Sequence, residues 1–250
     1  MTTTVALLHG FTGSPNSFRK VTTALVENDF RVEAPPLVGH GALDDASVTD
    51  FEGEVERLAR QLRARAERMH LVGYSLGGRM AIGLLCRHPG LFTGATLVSA
   101  QPGLTAAAAR LDRRAADETW CNLLKTQGVE AFVDAWEEVP LFASQTELPA
   151  DVRDAQRAER LAHDPNGLVR SLRTCGLGEM PSYWEALSAI RVPTTLVVGS
   201  HDAKFAALAE QMRDHLPQAK LRLIPDAGHN VVLEKPSALL EILLESLGGA

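Results

Sequence analysis

Three side chains spread over this chain could together do chemistry that none could do alone: Ser75, Asp202 and His229. A serine hydroxyl is a poor nucleophile or base until an imidazole can take its proton. The imidazole in turn works best when a carboxylate fixes its tautomer. Ser75 lies in Gly73-Tyr74-Ser75-Leu76-Gly77, the G-x-S-x-G pattern of a serine held at a sharp strand-to-helix turn. Such a turn strains the serine backbone, and a side chain at Gly73 or Gly77 would crowd it. It also aims the Leu76 backbone N–H, at the start of the next helix, toward whatever sits over Ser75, where it can meet developing negative charge. Asp202 follows one apolar run and His229 the next. The chain order serine, acid, histidine is the one expected for this topology.

The remaining histidines divide by context. His9 ends the first apolar run and precedes the loop expected to supply a second oxyanion donor, the Phe11 N–H; it reads as a buried, hydrogen-bonded residue. His40 reads as structural in its loop. His201 adjoins Asp202, but neighbours on an extended segment point apart. His70, His88, His163 and His215 sit in no partner pattern, and no histidines cluster with the short spacing of a metal site. The chemistry expected from the residues alone therefore needs no metal and no cofactor.

The elements that must position these groups alternate. Thr4 to His9 reads as a buried strand, followed by a loop in which Ser14-Pro15 caps a helix through Phe18, Val21, Leu25 and Val26. Residues 30–34 form a second short strand and 35–41 a loop. From Asp50 an amphipathic helix places Phe51, Val55, Leu58 and Leu62 on one face. The strand before Ser75 and the helix after it come next, and Gly94 to Val98 is a fourth strand. Pro193 to Val198 and Lys220 to Ile224 are two more, and a terminal helix carries Leu239, Leu240 and Leu243. Strands alternating with helices imply right-handed crossovers and a parallel α/β sheet, with the acid and the histidine at its carboxyl edge beside Ser75. Residues 104–190 break the alternation. They hold helical patterns, all three tryptophans and many arginines, and read as an inserted helical cap; residues 1–103 and 191–250 then form the core.

Composition closes off other classes. The 250 residues are 45% hydrophobic and 22% charged, enough for one sizeable core. A formal charge of −6 with no long run of Lys or Arg leaves no footprint for nucleic acid or an anionic membrane. Three widely spaced cysteines, Cys86, Cys121 and Cys175, suggest no disulfide framework and make a reducing cytoplasm the default. The first residues carry no basic n-region, and no eighteen apolar residues follow one another, so neither an export signal nor membrane insertion is expected.

His9-Gly10-Phe11, Gly73 to Gly78, Gly199-x-x-Asp202 and Gly228-His229 together resemble the α/β-hydrolase family over essentially the whole chain. The resemblance departs at the start, where the antiparallel strands that commonly open that fold have no counterpart. Within the family, Tyr74 to Arg79, Asp202-Ala203-Lys204-Phe205 and Ala227 to Asn230 resemble the 2-succinyl-6-hydroxy-2,4-cyclohexadiene-1-carboxylate synthases of menaquinone biosynthesis. That resemblance implies a lyase in which the serine acts as a base and pyruvate is eliminated from a small anionic substrate with three carboxylates. It implies substrate-binding roles for Tyr74, Arg79, Arg113 and Trp136, and for a third arginine, Arg160 or alternatively Arg157. An arginine one helical turn beyond the serine suits a carboxylate, which it can grip with two hydrogen bonds. The alternatives are a serine carboxylesterase, whose small bacterial members Leu8 to Gly13 also resembles, and a binding protein that kept the fold without turnover; an intact triad argues against the last.

Overall fold

The computed structural model describes residues 2–41 and 47–248; Met1, residues 42–46, Gly249 and Ala250, which the expected core included, lie outside them. In chain order the elements are β1 (Thr4–Leu8), α1 (Arg19–Glu27), β2 (Arg31–Glu33), α2 (Phe51–Arg63), β3 (Met69–Tyr74), α3 (Leu76–Arg87) and β4 (Phe92–Val98). Then follow α4 (Ala107–Glu137), α5 (Ala150–Leu161), α6 (Pro165–Cys175), β5 (Thr194–Gly199), α7 (Ala203–His215), β6 (Ala219–Ile224), α8 (Val231–Glu234) and α9 (Pro236–Gly248). The six strands among the described residues make one sheet in the order β2-β1-β3-β4-β5-β6, and every pairing is parallel.

Because both faces of this sheet are covered, its inner strands are apolar runs whose residues alternate between two cores. Val5, Leu7, Val72, Val98 and Val197 point toward Phe18, Val21 and Leu25 of the first helical segment and toward Leu239, Leu243 and Leu247 of α9. Ala6, Leu8, Leu71, Leu97 and Leu196 point the other way, toward α2, α3 and α7. Val26, expected on the apolar face of α1, is 56% exposed. One residue past buried Leu25, it has rotated about 100° away from the sheet. β4 starts two residues before the expected Gly94 because Phe92 pairs with Met69, ahead of a register shift at the head of β3.

Two local sequences set element starts. Ser14 accepts a hydrogen bond from the Asn16 N–H, and Pro15 begins a tight turn of helix that runs into α1. Asp50 caps α2 by accepting the Gly53 N–H at 2.7 Å.

The strand order turns back on itself between β1 and β3, and this is where open α/β sheets leave a crevice at their carboxyl ends. Register brings the relevant strand ends level: Leu8 lies opposite Gly73, Gly73 opposite Leu97, and Gly199 opposite Ile224. The loops after β1, β3, β5 and β6 therefore leave from one edge. Between β4 and β5 the described residues form only helices and turns. α4 packs on α6 through Cys121, Leu124, Phe132, Val133, Leu168 and Leu172. α4 breaks at Gly128, whose φ of 82° and ψ of −177° are reached easily only without a side chain. The break lets Phe132 and Trp136 turn back toward Trp120, whose ring centroid lies 5.2 Å from that of Trp136. Among the described residues no helix is long and apolar enough to cross a membrane.

Enclosed histidines, His9 and His70 among them, make the fold sensitive to acid. His70 is bonded at Nε2 to Thr96 Oγ1 (2.9 Å), His9 lies wholly inside, and burial pulls each imidazole from 6.5 down to about 4. Between those values the unfolded chain binds protons that the folded chain refuses. Stability is therefore full above pH 6.5 and falls as the pH drops toward 4, by about 3 kcal/mol for each histidine. Urea unfolding at pH 7.0 and 4.5 should show the loss, and His70→Gln should flatten the slope between them.

Candidate active site

The turn at Ser75 is strained as the sequence demands. Its φ of 51° and ψ of −107° lie outside the regions open to ordinary residues, and its N–H is tied to the Val98 carbonyl at 3.0 Å. The flanking glycines make the close approach possible. A Cβ at Gly77 would lie 2.0 Å from the Leu8 carbonyl oxygen, and one at Gly73 would lie 2.4 Å from the Gly77 oxygen. Ser75 Oγ is 3.1 Å from His229 Nε2, and His229 Nδ1 is 2.7 Å from Asp202 Oδ2. That geometry fixes the histidine proton on Nδ1 and leaves Nε2 free to accept from the serine.

The support around the histidine is dense. Asp202 is buried and its other oxygen accepts the Phe205 N–H at 3.3 Å, while His201 beside it faces solvent. Ser99 Oγ donates to the His229 carbonyl at 2.8 Å. Glu234 accepts from the N–H groups of Gly228 (2.6 Å) and Asn230 (3.1 Å), holding the chain on both sides of His229. The Phe205 ring lies 4.5 Å from the imidazole. Sequence reasoning missed Glu234 and Ser99, because neither stands at a spacing that marks it.

The Phe11 donor is oriented from the far side of its own peptide. The Gly10 carbonyl accepts from His9 Nδ1–H (2.8 Å) and from the Gly13 N–H (3.1 Å). A planar trans peptide then aims the Phe11 N–H the opposite way. His9 Nε2 accepts the Leu37 N–H at 3.2 Å, which leaves its proton on Nδ1. Phe11 and Leu76 both line the cleft that Ser75 lines, and neither N–H is used in a hydrogen bond among the described residues.

That cleft, about 1530 Å³, lies between the sheet edge and the helices α4 to α6. Tyr74, Arg79, Arg113, Trp136 and Arg160 all line it, with Ser75 and His229. Arg157, the alternative for the third arginine, does not; it is spent on Asp134 (2.5 Å) and Glu137 (2.7 Å) at the outer side of α5. The Tyr74 ring packs so close to Gly10 that a Cβ there would come within 2.7 Å of it, and burial pushes its phenol well above the usual range. Arg79 Nη1 donates to the Cys175 carbonyl at 2.7 Å, and Arg79 has no carboxylate partner among the described residues. Burial, reinforced by the like charge of Arg113, draws its guanidinium down to about 10, still fully charged at neutral pH. Arg113 pairs with Asp117 at 2.8 Å. Burial raises that carboxyl against the pull of Arg113. Arg160 is 4% exposed, bonded to Glu137 (2.9 Å) and Gln145 (3.3 Å), and sits 5.5 Å over the Phe142 ring.

Among the described residues, two buried polar atoms on this wall have no protein partner, Trp136 Nε1 and Ser171 Oγ. A buried donor left so costs about 1–3 kcal/mol. Among the described residues no three His, Cys, Asp or Glu side chains are grouped to hold a metal ion.

The sheet, the strained serine turn and the loops at the carboxyl edge define an α/β hydrolase, and a model of the alpha/beta hydrolase family matches residues 5–242. The chain belongs to that family. Its relatives include a Bacillus subtilis (strain 168) protein provisionally named 2-succinyl-6-hydroxy-2,4-cyclohexadiene-1-carboxylate synthase, 34% identical over 97% of this chain and 89% of that one. The protein of that name from Enterobacter sp. (strain 638) is 32% identical over 97% of this chain and 91% of its own length. The solved structure of MenH from S. aureus superposes with a TM-score of 0.94 at 30% identity, covering 100% of this chain and 95% of that one.

Proposed function

We propose that this chain is a lyase that eliminates pyruvate from a succinylated cyclohexene tricarboxylate, the reaction named for its 2-succinyl-6-hydroxy-2,4-cyclohexadiene-1-carboxylate synthase relatives. Residues 1–103 and 191–250 serve as the catalytic core and 104–190 as its cap. The observation that carries this reading is charge: Arg79, Arg113 and Arg160 line one cleft with Ser75 and His229. Three cations around a serine suit a substrate with several carboxylates and do little for a neutral ester.

In this reading Ser75 is a base. His229 Nε2 draws the hydroxyl proton, and the serine oxygen takes a proton from substrate carbon, so that the net proton transfer is from substrate to imidazole. Asp202 stabilises the imidazolium that results. The N–H groups of Phe11 and Leu76 meet the negative charge that proton loss leaves on the substrate. The freed electron pair expels the ether oxygen, and pyruvate leaves as its enolate and collects a proton. The arginines hold the carboxylates so that the acidic C–H faces Ser75, with Tyr74 and Trp136 as walls.

The test is a direct comparison on one preparation. Pyruvate release from the succinylated cyclohexene substrate, followed by a coupled lactate dehydrogenase assay, should be fast, and hydrolysis of a short-chain 4-nitrophenyl ester slow. Rapid ester cleavage without pyruvate would replace this reading by a carboxylesterase.

A further inference from the structure

The loop that carries Phe11 is held from two sides, and one of them belongs to the cap. Thr12, next to Phe11, has a φ of 62°, a left-handed conformation costly for a β-branched residue. Both polar groups of its backbone are clamped by imidazoles. Its N–H donates to His40 Nε2 (3.1 Å), and its carbonyl accepts from His163 Nε2–H (3.1 Å). His40 comes from the core loop after β2 and is itself fixed, since its Nδ1–H donates to the Val38 carbonyl (3.1 Å). His163 comes from the cap, just beyond the end of α5. One helical turn earlier, Glu159 of α5 accepts hydrogen bonds from Ser14 Oγ and, at 3.0 Å, from Ser17 Oγ. Thr12, Ser14, Ser17, His40, Glu159 and His163 all line the cleft. Between Glu159 and His163 stands Arg160, which lines it too.

We propose that Glu159 and His163 are positioning residues that latch α5 onto the 10–17 loop, so that the Phe11 oxyanion donor is fully aligned while the cap is docked and only loosely held when it is not. The inference rests on the reading of the Phe11 N–H as an oxyanion donor. A carboxylate gripped by Arg160 holds α5 down, α5 holds Thr12 and Ser14, and these hold the peptide that aims the Phe11 N–H. Anionic substrate thereby completes the site that transforms it, the usual logic of closure-coupled specificity. The hydrogen bonds of His9 and Gly13 to the Gly10 carbonyl remain when the latch opens, so the expected loss is partial.

The test uses two readouts, one independent of the natural substrate. Diethyl 4-nitrophenyl phosphate is neutral; Ser75 Oγ would attack its phosphorus and expel 4-nitrophenolate, with the phosphoryl oxygen in the oxyanion site. His163→Leu removes the donor but keeps the volume. It should slow this reaction roughly tenfold, a fraction of what loss of a whole oxyanion donor costs, and lower kcat for pyruvate release by a similar factor with KM nearly unchanged. His163→Gln, which can still donate to the Thr12 carbonyl, should restore most of both rates. Glu159→Ala should slow phosphorylation about threefold, and this half-buried position decides the matter if His163→Leu does not fold. Wild-type phosphorylation rates in His163→Leu and Glu159→Ala overturn the latch, and so does a defect that His163→Gln leaves unrepaired. If the unaltered protein releases no pyruvate the lyase reading fails, while the phosphorylation rates still decide on the latch.

Discussion

Replacing Ser75 by Ala, or His229 by Ala, is expected to lower turnover by roughly four to six orders of magnitude with little change in thermal stability. The argument is geometric. Serine Oγ is 3.1 Å from His229 Nε2, and the Nδ1 proton is pinned by Asp202 at 2.7 Å, so removal of either partner leaves no path for the proton. The two losses should not add: Ser75→Ala/His229→Ala should be about as slow as either single variant, because the pair acts as a unit. Asp202→Asn should cost about 10⁴, since an amide can donate to Nδ1 and favour the wrong tautomer. Single-turnover rates beside melting curves separate chemistry from folding. Residual turnover within tenfold of the unaltered protein in Ser75→Ala would show that another group is the base.

The sheet was legible because burial on both faces turns parallel strands into apolar runs, and turn residues mark their ends. Strand limits were less so: Phe92 joins β4 through a pairing with Met69 that no local pattern announces. The serine turn, Asp202 and His229 were legible because each stands in a sequence whose backbone geometry constrains its composition, as the 2.0 Å approach at Gly77 illustrates. The arginines of α5 were harder. α5 has few apolar residues to set its rotation, and Arg157 and Arg160 lie about 60° apart around the helix. Only the fold puts Arg160 on the inside, 4% exposed, and Arg157 among the acids outside. Least legible were side-chain contacts to backbone groups, whether the partner lies far along the chain or only a few residues away. His163 to Thr12, Arg79 to the Cys175 carbonyl and Glu234 beneath His229 leave no periodic trace, because the partner of each is a backbone group. A backbone partner places no demand on residue type.

Truncating Arg79 to Ala is expected to reduce kcat/KM for the proposed tricarboxylate substrate by about 10²–10³ while changing cleavage of a neutral aryl ester little. Arg79 sits one turn from Ser75, lines the cleft, and spends a single bond on the protein, to the Cys175 carbonyl. Its other donors are therefore available for a carboxylate. Losing them leaves a desolvated anion unpaired near Arg113, a penalty of about 3–5 kcal/mol. Arg79→Lys should recover only part of this, because an ammonium lacks the planar fork. The Cys175 carbonyl also loses its donor in Arg79→Ala, at about 1–3 kcal/mol of stability, so the melting temperature should fall modestly and must be measured on the same sample. Arg157→Ala is the matched control: its partners are Asp134 and Glu137 at the outer face of α5, and an exposed pair of that kind is worth about 0–1 kcal/mol. Equal losses in Arg79→Ala and Arg157→Ala would mean that overall charge is being read. A loss confined to Arg79→Ala, and absent with the ester, places a substrate carboxylate beside Ser75.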